Sequence, residues 1–395
     1  MDTTEISMNL LKWVCLVFIW SPSLAQGYFD TTLKPGPYVV GFKAGIHYDL
    51  GRPPLAEQFA RYRHGRAVHL SVWYPAKIKS NHPPMRFMEY IDEVSRMINP
   101  KEVTKRTRKE SIDAMTTLVS ELGGDSTLLL KHLGSLLNST THAYRNAAHV
   151  GGDFPILIYP ESPHLNSILS EYLASHGFIV VSVSRHGTLT KDFEWKSVRG
   201  IETLVQDCQF ALSVVKREFD TDDQRMAVIG TGMNASAGLA WAMRSPEIDA
   251  VVSLEGGILT SYEYNLLKTS PYFDTMRVTS PMLVIYSPHE VVDARLIGHY
   301  PFADRHMLYL PQMTEFRYLN FGVWEKRIEG ILLYAPGDTC TGFEWMARYT
   351  LYFLDWQLRQ GYHGKEFFDN SPAQHGLSPG EAEYSHLPGD STHGL

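Results

Sequence analysis

The chain has 395 residues, 44% hydrophobic and 12% aromatic, enough for a sizeable core; a disordered chain, a collagen-like repeat and a disulfide-stapled miniprotein are thereby excluded. With 36 Lys and Arg against 43 Asp and Glu, the formal charge is −7, so no overall basic field exists to attract nucleic acid or an anionic membrane. The length suits two or three average domains, although α/β folds often gather about 250 or more residues around one sheet.

Residues 10–20, LLKWVCLVFIW, form an apolar run too short to cross a bilayer as a helix. Ser23 and Ala25 follow at the small-residue positions before a cut. The pattern predicts an export signal over 1–25, cleaved after Ala25, and a secreted or periplasmic chain without a transmembrane anchor. Asp2 and Glu5 depart from the usual basic start, and a start at Met8 would remove both. Loss of Cys15 with the signal leaves Cys208 and Cys340, which allow one disulfide without requiring it.

From residue 36, GPYVVGFKAGIHYDLGR and GRAVHLSVWYPA predict two strands in a hairpin-like start to a sheet, with a short helical segment after Pro53 and Pro54 between them. Residues 77–152 change character. Helical periodicity in EVTKRTRKESIDAMTTLVSEL and STLLLKHLGSLL marks a helical insertion, whose Lys101, Lys105, Arg106, Arg108 and Lys109 read as a solvated face diluted by Glu102 and Glu110.

Beyond Phe154, short apolar stretches (FPILIY, FIVVSVS, RMAVIG, DAVVSLEGG and PMLVIYS) alternate with amphipathic helical patterns, which predicts a parallel sheet covered on both faces. EFRYLNFGV is expected as the last strand and FEWMARYTLYFLDWQLRQG as a long closing helix. Residues 365–395 are rich in Pro, Gly, Ser and His and lack periodicity, so an extended or mobile tail is expected. His363, His375, His386 and His393 are too scattered in sequence for a metal site and read as single solvated histidines.

Chemistry in open parallel sheets collects at the carboxyl ends of the strands. RMAVIG followed by TGMNASAG is strand, sharp turn and helix, the shape of a G-x-S-x-G nucleophile elbow with Gly232 at the serine position. Together with GPYVVGF at 36, VWYPA at 72, FPILIY at 154, EYLASHGFIVVSVS at 171, DAVVSLEGG at 249 and RYTLYFL at 348, this resembles the α/β-hydrolase superfamily. Within it the chain is similar to the secreted branch of platelet-activating-factor acetylhydrolases and dienelactone hydrolases. The resemblance covers most of 36–260. It implies an α/β-hydrolase fold over 26–364, a mostly parallel central sheet flanked by helices, and a lineage of serine ester hydrolases.

The catalytic residues that the resemblance implies are degraded here. Gly232 has no Oγ to attack a carbonyl, although glycine adopts a strained turn readily. The N–H of Met233 remains as an oxyanion donor, but the loop after FPILIY offers Pro160, Glu161, Ser162 and Pro163, two of which lack an N–H while Glu161 opposes an oxyanion. Glu255 is the candidate acid, or else a loop-bonding residue. After EFRYLNFGV, Val323 and Trp324 stand where a histidine is expected; His299, in GHYPFAD, is a weaker alternative. Ser236 in NASAG could be a relocated nucleophile, although it falls about one turn into the helix, and Thr231 points away from the apex. His289, Glu290 and Asp293 lack the second histidine of a zinc helix. No phosphate loop or dinucleotide fingerprint occurs, so neither cofactor nor metal is expected. The residues thus point to a non-catalytic or impaired pseudo-hydrolase that binds a ligand or partner, a small-molecule or ester-like ligand among them, or serves structurally. Two alternatives stand beside it: an ester hydrolase using Ser236, His299 and Glu255, and a protein-interaction role through the insertion. Oligomeric state is not readable from the chain.

Overall fold

A computed structural model describes residues 29–390, apart from 56–64, 222–224, 334–336 and the single positions 80, 100, 189, 191, 220, 290 and 315. The expected export signal with its cut after Ala25, the short helical segment after Pro54, Glu290 and His393 lie outside the described residues.

The chain opens with β1 (Val39–Asp49) and β2 (Arg66–Lys77), antiparallel with Val39 opposite Ala76, as the two β-rich stretches predict. Three helices follow, α1 (Met88–Ile98), α2 (Lys105–Glu121) and α3 (Ser126–Asn138). Thr104 and Asp125 start the last two by accepting hydrogen bonds from first-turn N–H groups, which otherwise lack intrahelical acceptors. The insertion then returns to the sheet through β3 (Ala143–Arg145), parallel to β1, and β4 (Ala148–His149), antiparallel to β2.

A regular alternation comes next: β5 (Ile156–Tyr159), α4 (Pro163–Ser175), β6 (Ile179–Val183), α5 (Val198–Phe219), β7 (Met226–Thr231), α6 (Met233–Ala242) and β8 (Ala250–Leu254). A short helix α7 (Ser261–Leu267) precedes β9 (Met282–Tyr286) and β10 (Arg305–Tyr309). The strands from β5 to β10 pair in parallel, and the sheet order is β11-β10-β9-β8-β7-β5-β6-β2-β1-β3, where β11 is Glu383–Leu387. Buried side chains divide between the two faces with the period of two of a strand. Leu157 and Tyr159 of β5 join the core under α4 and the long helix α9 (Thr339–Arg359), whereas Ile156 and Ile158 join the core under α5 and α6. Each such side chain, fully withdrawn from water, stabilises the fold by about 1.5–3 kcal/mol.

Three sequence expectations are corrected. Residues 316–320 of EFRYLNFGV form turns and not a strand, and lead into the short helix α8 (Phe321–Trp324); the last parallel strand is β10, RHMLY. Arg317, inside that stretch, is buried and makes a two-pronged ion pair with Glu325, a local contact that favours a turn over an extended chain. The expected tail is also ordered in part, carrying α10 (Tyr362–Asp369) and then β11, which pairs antiparallel with β10. Its histidines are not all solitary: His386 lies directly opposite His306, and His375 stacks on Phe367 with ring centroids 3.9 Å apart. Cys208 and Cys340 are both buried free thiols. Among the described residues, no helix is long and apolar enough to cross a membrane.

Candidate functional site

At the carboxyl ends of β5, β7, β8 and β9 a cavity of about 240 Å³ opens, and Gly232 lies in its wall. Gly232 follows β7 and caps α6 with φ 53° and ψ −129°, a sharp turn at positive φ between strand and helix that favours glycine. Its N–H donates to Leu254 O, tying the turn to β8. A Cβ built on it meets Glu255 Oε2 at 3.9 Å and nothing closer, so the apex faces open space. Gly257 is required for the opposite reason, since a Cβ there would come within 1.9 Å of Gly232 O. Met233, at the first turn of α6 where N–H groups lack intrahelical acceptors, also lines the cavity.

Glu255 follows β8 directly and holds φ 67°. Its Oε1 accepts a hydrogen bond from the N–H of Phe316 at 3.2 Å. Phe316, with φ 62°, belongs to the loop after β10, the place where the resemblance calls for a histidine. Because β10 and not EFRYLNFGV is the last parallel strand, the loop in which the resemblance calls for a histidine is the one after Tyr309, which includes Phe316; Val323 and Trp324 are core residues of α8. Two non-glycine residues held at positive φ around one cavity mark strained backbone, which clusters at functional sites.

The opposite wall carries Glu161, buried at the end of β5. Its carboxylate accepts from Ser162 N–H at 2.8 Å and from Asn234 Nδ2 at 3.2 Å, and pairs with Arg185 at 2.8 Å. The Ser162 N–H, a candidate oxyanion donor by position, is thus engaged by a carboxylate. The Arg185 guanidinium also lies over the Trp195 ring, 4.7 Å from its centroid. Behind them His164 is enclosed at the start of α4; burial, reinforced by the Arg185 charge, pushes its imidazole down to about 3, so it is neutral at physiological pH. Thr231 is fixed by a 2.9 Å hydrogen bond between its hydroxyl and the Tyr159 phenol.

The alternative catalytic set is not assembled. Ser236 is fully buried inside α6, its Oγ has no hydrogen-bond partner among the described residues, and it does not line the cavity. His299 is exposed at the end of the 3-10 turn Ala294–His299, stacked on Tyr264 at 4.5 Å, and is also absent from the cavity wall. The exposed histidine that does reach the rim is His289.

Sequence reasoning missed Arg185, Trp195 and Phe316, and weighed His289 only as a metal ligand. Arg185 was within reach, since it stands two residues past β6 at the carboxyl edge where chemistry collects. Trp195 and Phe316 come from loops with no periodic pattern to place them. A larger cavity, about 410 Å³, lies between Phe29, Val40 and Tyr172, and none of these site residues lines it.

Chemically, the arrangement keeps a sharp strand-to-helix turn whose apex, Gly232, carries no side chain. Glu255 lies beside the apex and opposes negative charge there, whereas Glu161, in the same cavity wall, is compensated by Arg185. No protein-family model and no curated protein matches the chain. Among solved structures, a ferulic acid esterase from Streptomyces cinnamoneus is similar at 15% identity with a TM-score of 0.59, over 91% of this chain and 99% of that one. The strand order, the turn at Gly232 and this likeness together give the chain an α/β-hydrolase fold.

Proposed function

We propose that the chain is a secreted, non-catalytic relative of serine ester hydrolases, similar to the platelet-activating-factor acetylhydrolase and dienelactone hydrolase branch, that binds a small molecule in the cavity at Gly232. The observation that carries this reading is the pairing of Gly232 with Phe316. The first occupies the apex of an intact elbow without a nucleophile, and the second occupies the histidine loop and bonds to Glu255 through its backbone. An acyl-enzyme needs an attacking oxygen and a base to activate it, and both positions lack the group. The cavity, about 240 Å³, falls below the roughly 300–1,000 Å³ typical of drug-sized ligands, which favours a small occupant. Its walls carry Glu161 already paired with Arg185, together with Glu255, so the occupant is a polar one that exchanges hydrogen bonds with these groups. The likeness to an esterase fits descent from an ester hydrolase.

The test is incubation of the purified chain with a fluorophosphonate probe and a short-chain aryl ester. Neither labelling nor turnover above a heat-denatured control is expected. Labelling or turnover that disappears in Ser236→Ala would overturn the reading in favour of a relocated nucleophile. N-terminal sequencing of chain recovered from the medium tests export, with Gln26 as the expected first residue.

A further inference from the structure

At the other end of the sheet, where β10 begins, Asp304, His306 and His386 come together, one ligand atom from each lying within 4.8 Å of the other two. Pairing of β10 with β11 creates the cluster, because it sets His306 opposite His386 on one face of the ribbon. The two imidazoles are parallel, 6° apart in plane and 4.4 Å between centroids. Both aim Nε2 at one carboxylate: His386 Nε2 lies 2.6 Å from Asp304 Oδ1, and His306 Nε2 lies 3.3 Å from Asp304 Oδ2. The far nitrogen of His306, Nδ1, lies 2.7 Å from the Tyr384 hydroxyl. Phe353, Trp356 and Phe368 surround the same ring at 5.2–5.6 Å, fixing its orientation.

We propose that Asp304, His306 and His386 bind a divalent transition-metal ion, with zinc the best match. Two imidazoles and one carboxylate are the ligand types zinc takes, at about 2.0–2.2 Å from the metal. Tetrahedral ligands at that distance stand about 3.4 Å apart and each ring plane contains the metal, so binding requires the parallel stack of His306 and His386 to open by rotation of the exposed His386 ring. An Nδ1–H of His306 donating to the Tyr384 oxygen leaves the Nε2 lone pair for the metal, the outer-shell arrangement that orients ligating histidines. Three protein ligands leave a fourth position for water, and His386 is exposed enough to admit it. The metal would clip β11 to β10 and close the edge of the sheet. The scattered positions of these residues in sequence concealed the cluster, since strand pairing across about 80 residues brings it together.

The full chain, stripped with chelator and dialysed, is titrated with Co²⁺ and followed by visible absorption. The expected result is saturation at about one equivalent with the intense bands of a four- or five-coordinate site, abolished by Zn²⁺ and unaffected by excess Mg²⁺. His386→Ala, which removes an exposed ring, and Asp304→Asn are each expected to weaken Co²⁺ binding at least about tenfold while a far-UV spectrum shows the fold retained. Absence of the bands, their persistence at full affinity in both variants, or equal competition by Mg²⁺ would overturn the proposal.

Discussion

At Gly232 the sharp turn of an elbow is built on a residue that has no side chain. Because a Cβ there meets only Glu255 Oε2, at 3.9 Å, serine fits sterically; its cost is the positive φ of 53°, which a side chain adopts unwillingly. Gly232→Ser is therefore expected to fold and to lose about 1–3 kcal/mol of unfolding free energy in urea denaturation. It should not hydrolyse the aryl ester, since Phe316 cannot take the serine proton. Turnover by this variant would show that Glu255 or His289 can serve as base, and failure to fold would show that the apex is less open than it looks. Glu255 was legible as a residue following the strand after the elbow. Phe316 was not, because its identity as the residue in the histidine loop depends on which stretch forms the last strand.

The elements show why that strand was misplaced. RHMLY carries two cationic or titratable residues at its start and reads as polar, yet Arg305 donates from one terminal nitrogen to Pro388 O at 2.7 Å and His306 is enclosed by aromatic rings. EFRYLNFGV reads as a strand on aromatic content, and its buried Arg317–Glu325 pair bends it instead. Apolar strands from β5 to β9 announced themselves because both of their faces are covered; an edge closed by polar contacts did not. A related polar contact fixes α5 to β2. Arg66, the first residue of β2, donates from Nε and from its terminal nitrogen to the two oxygens of Asp207, each at 2.7 Å, with both residues almost wholly buried. Asp207 also pairs with Arg52 at 2.8 Å, so Asp207→Ala removes the counter-charge of two arginines and leaves the buried Arg66 only backbone carbonyl acceptors; it should destabilise the chain by about 3–5 kcal/mol, read from urea denaturation followed by far-UV circular dichroism. A loss below about 1 kcal/mol would mean that water reaches Arg66 in the folded chain.

For the whole molecule, the question raised by 77–152 is whether a helical insertion behaves as a module of its own. The contacts say otherwise. Tyr90 of α1 accepts a hydrogen bond from Trp73 Nε1 of β2 at 2.8 Å and donates to Glu171 Oε1 of α4 at 2.6 Å, while the N–H of His142 holds the other oxygen of that carboxylate. Burial pushes the Glu171 carboxyl up, the mark of an acidic group shielded from water by the insertion. Glu93 of α1 pairs with Arg145 of β3 at 2.9 Å and lies 3.3 Å from His69 of β2. Detaching α1 would thus expose apolar surface and strand several buried polar groups at once, a cost that couples it to the sheet. Native-state hydrogen exchange over a series of sub-denaturing urea concentrations reads that coupling directly. The core amides of α1 should open with the same free energy and the same urea dependence as those of β5 and β7. If α1 opens at a lower free energy with a small urea dependence, the insertion is a separable unit, and a role for it in docking another protein gains ground over a purely structural one.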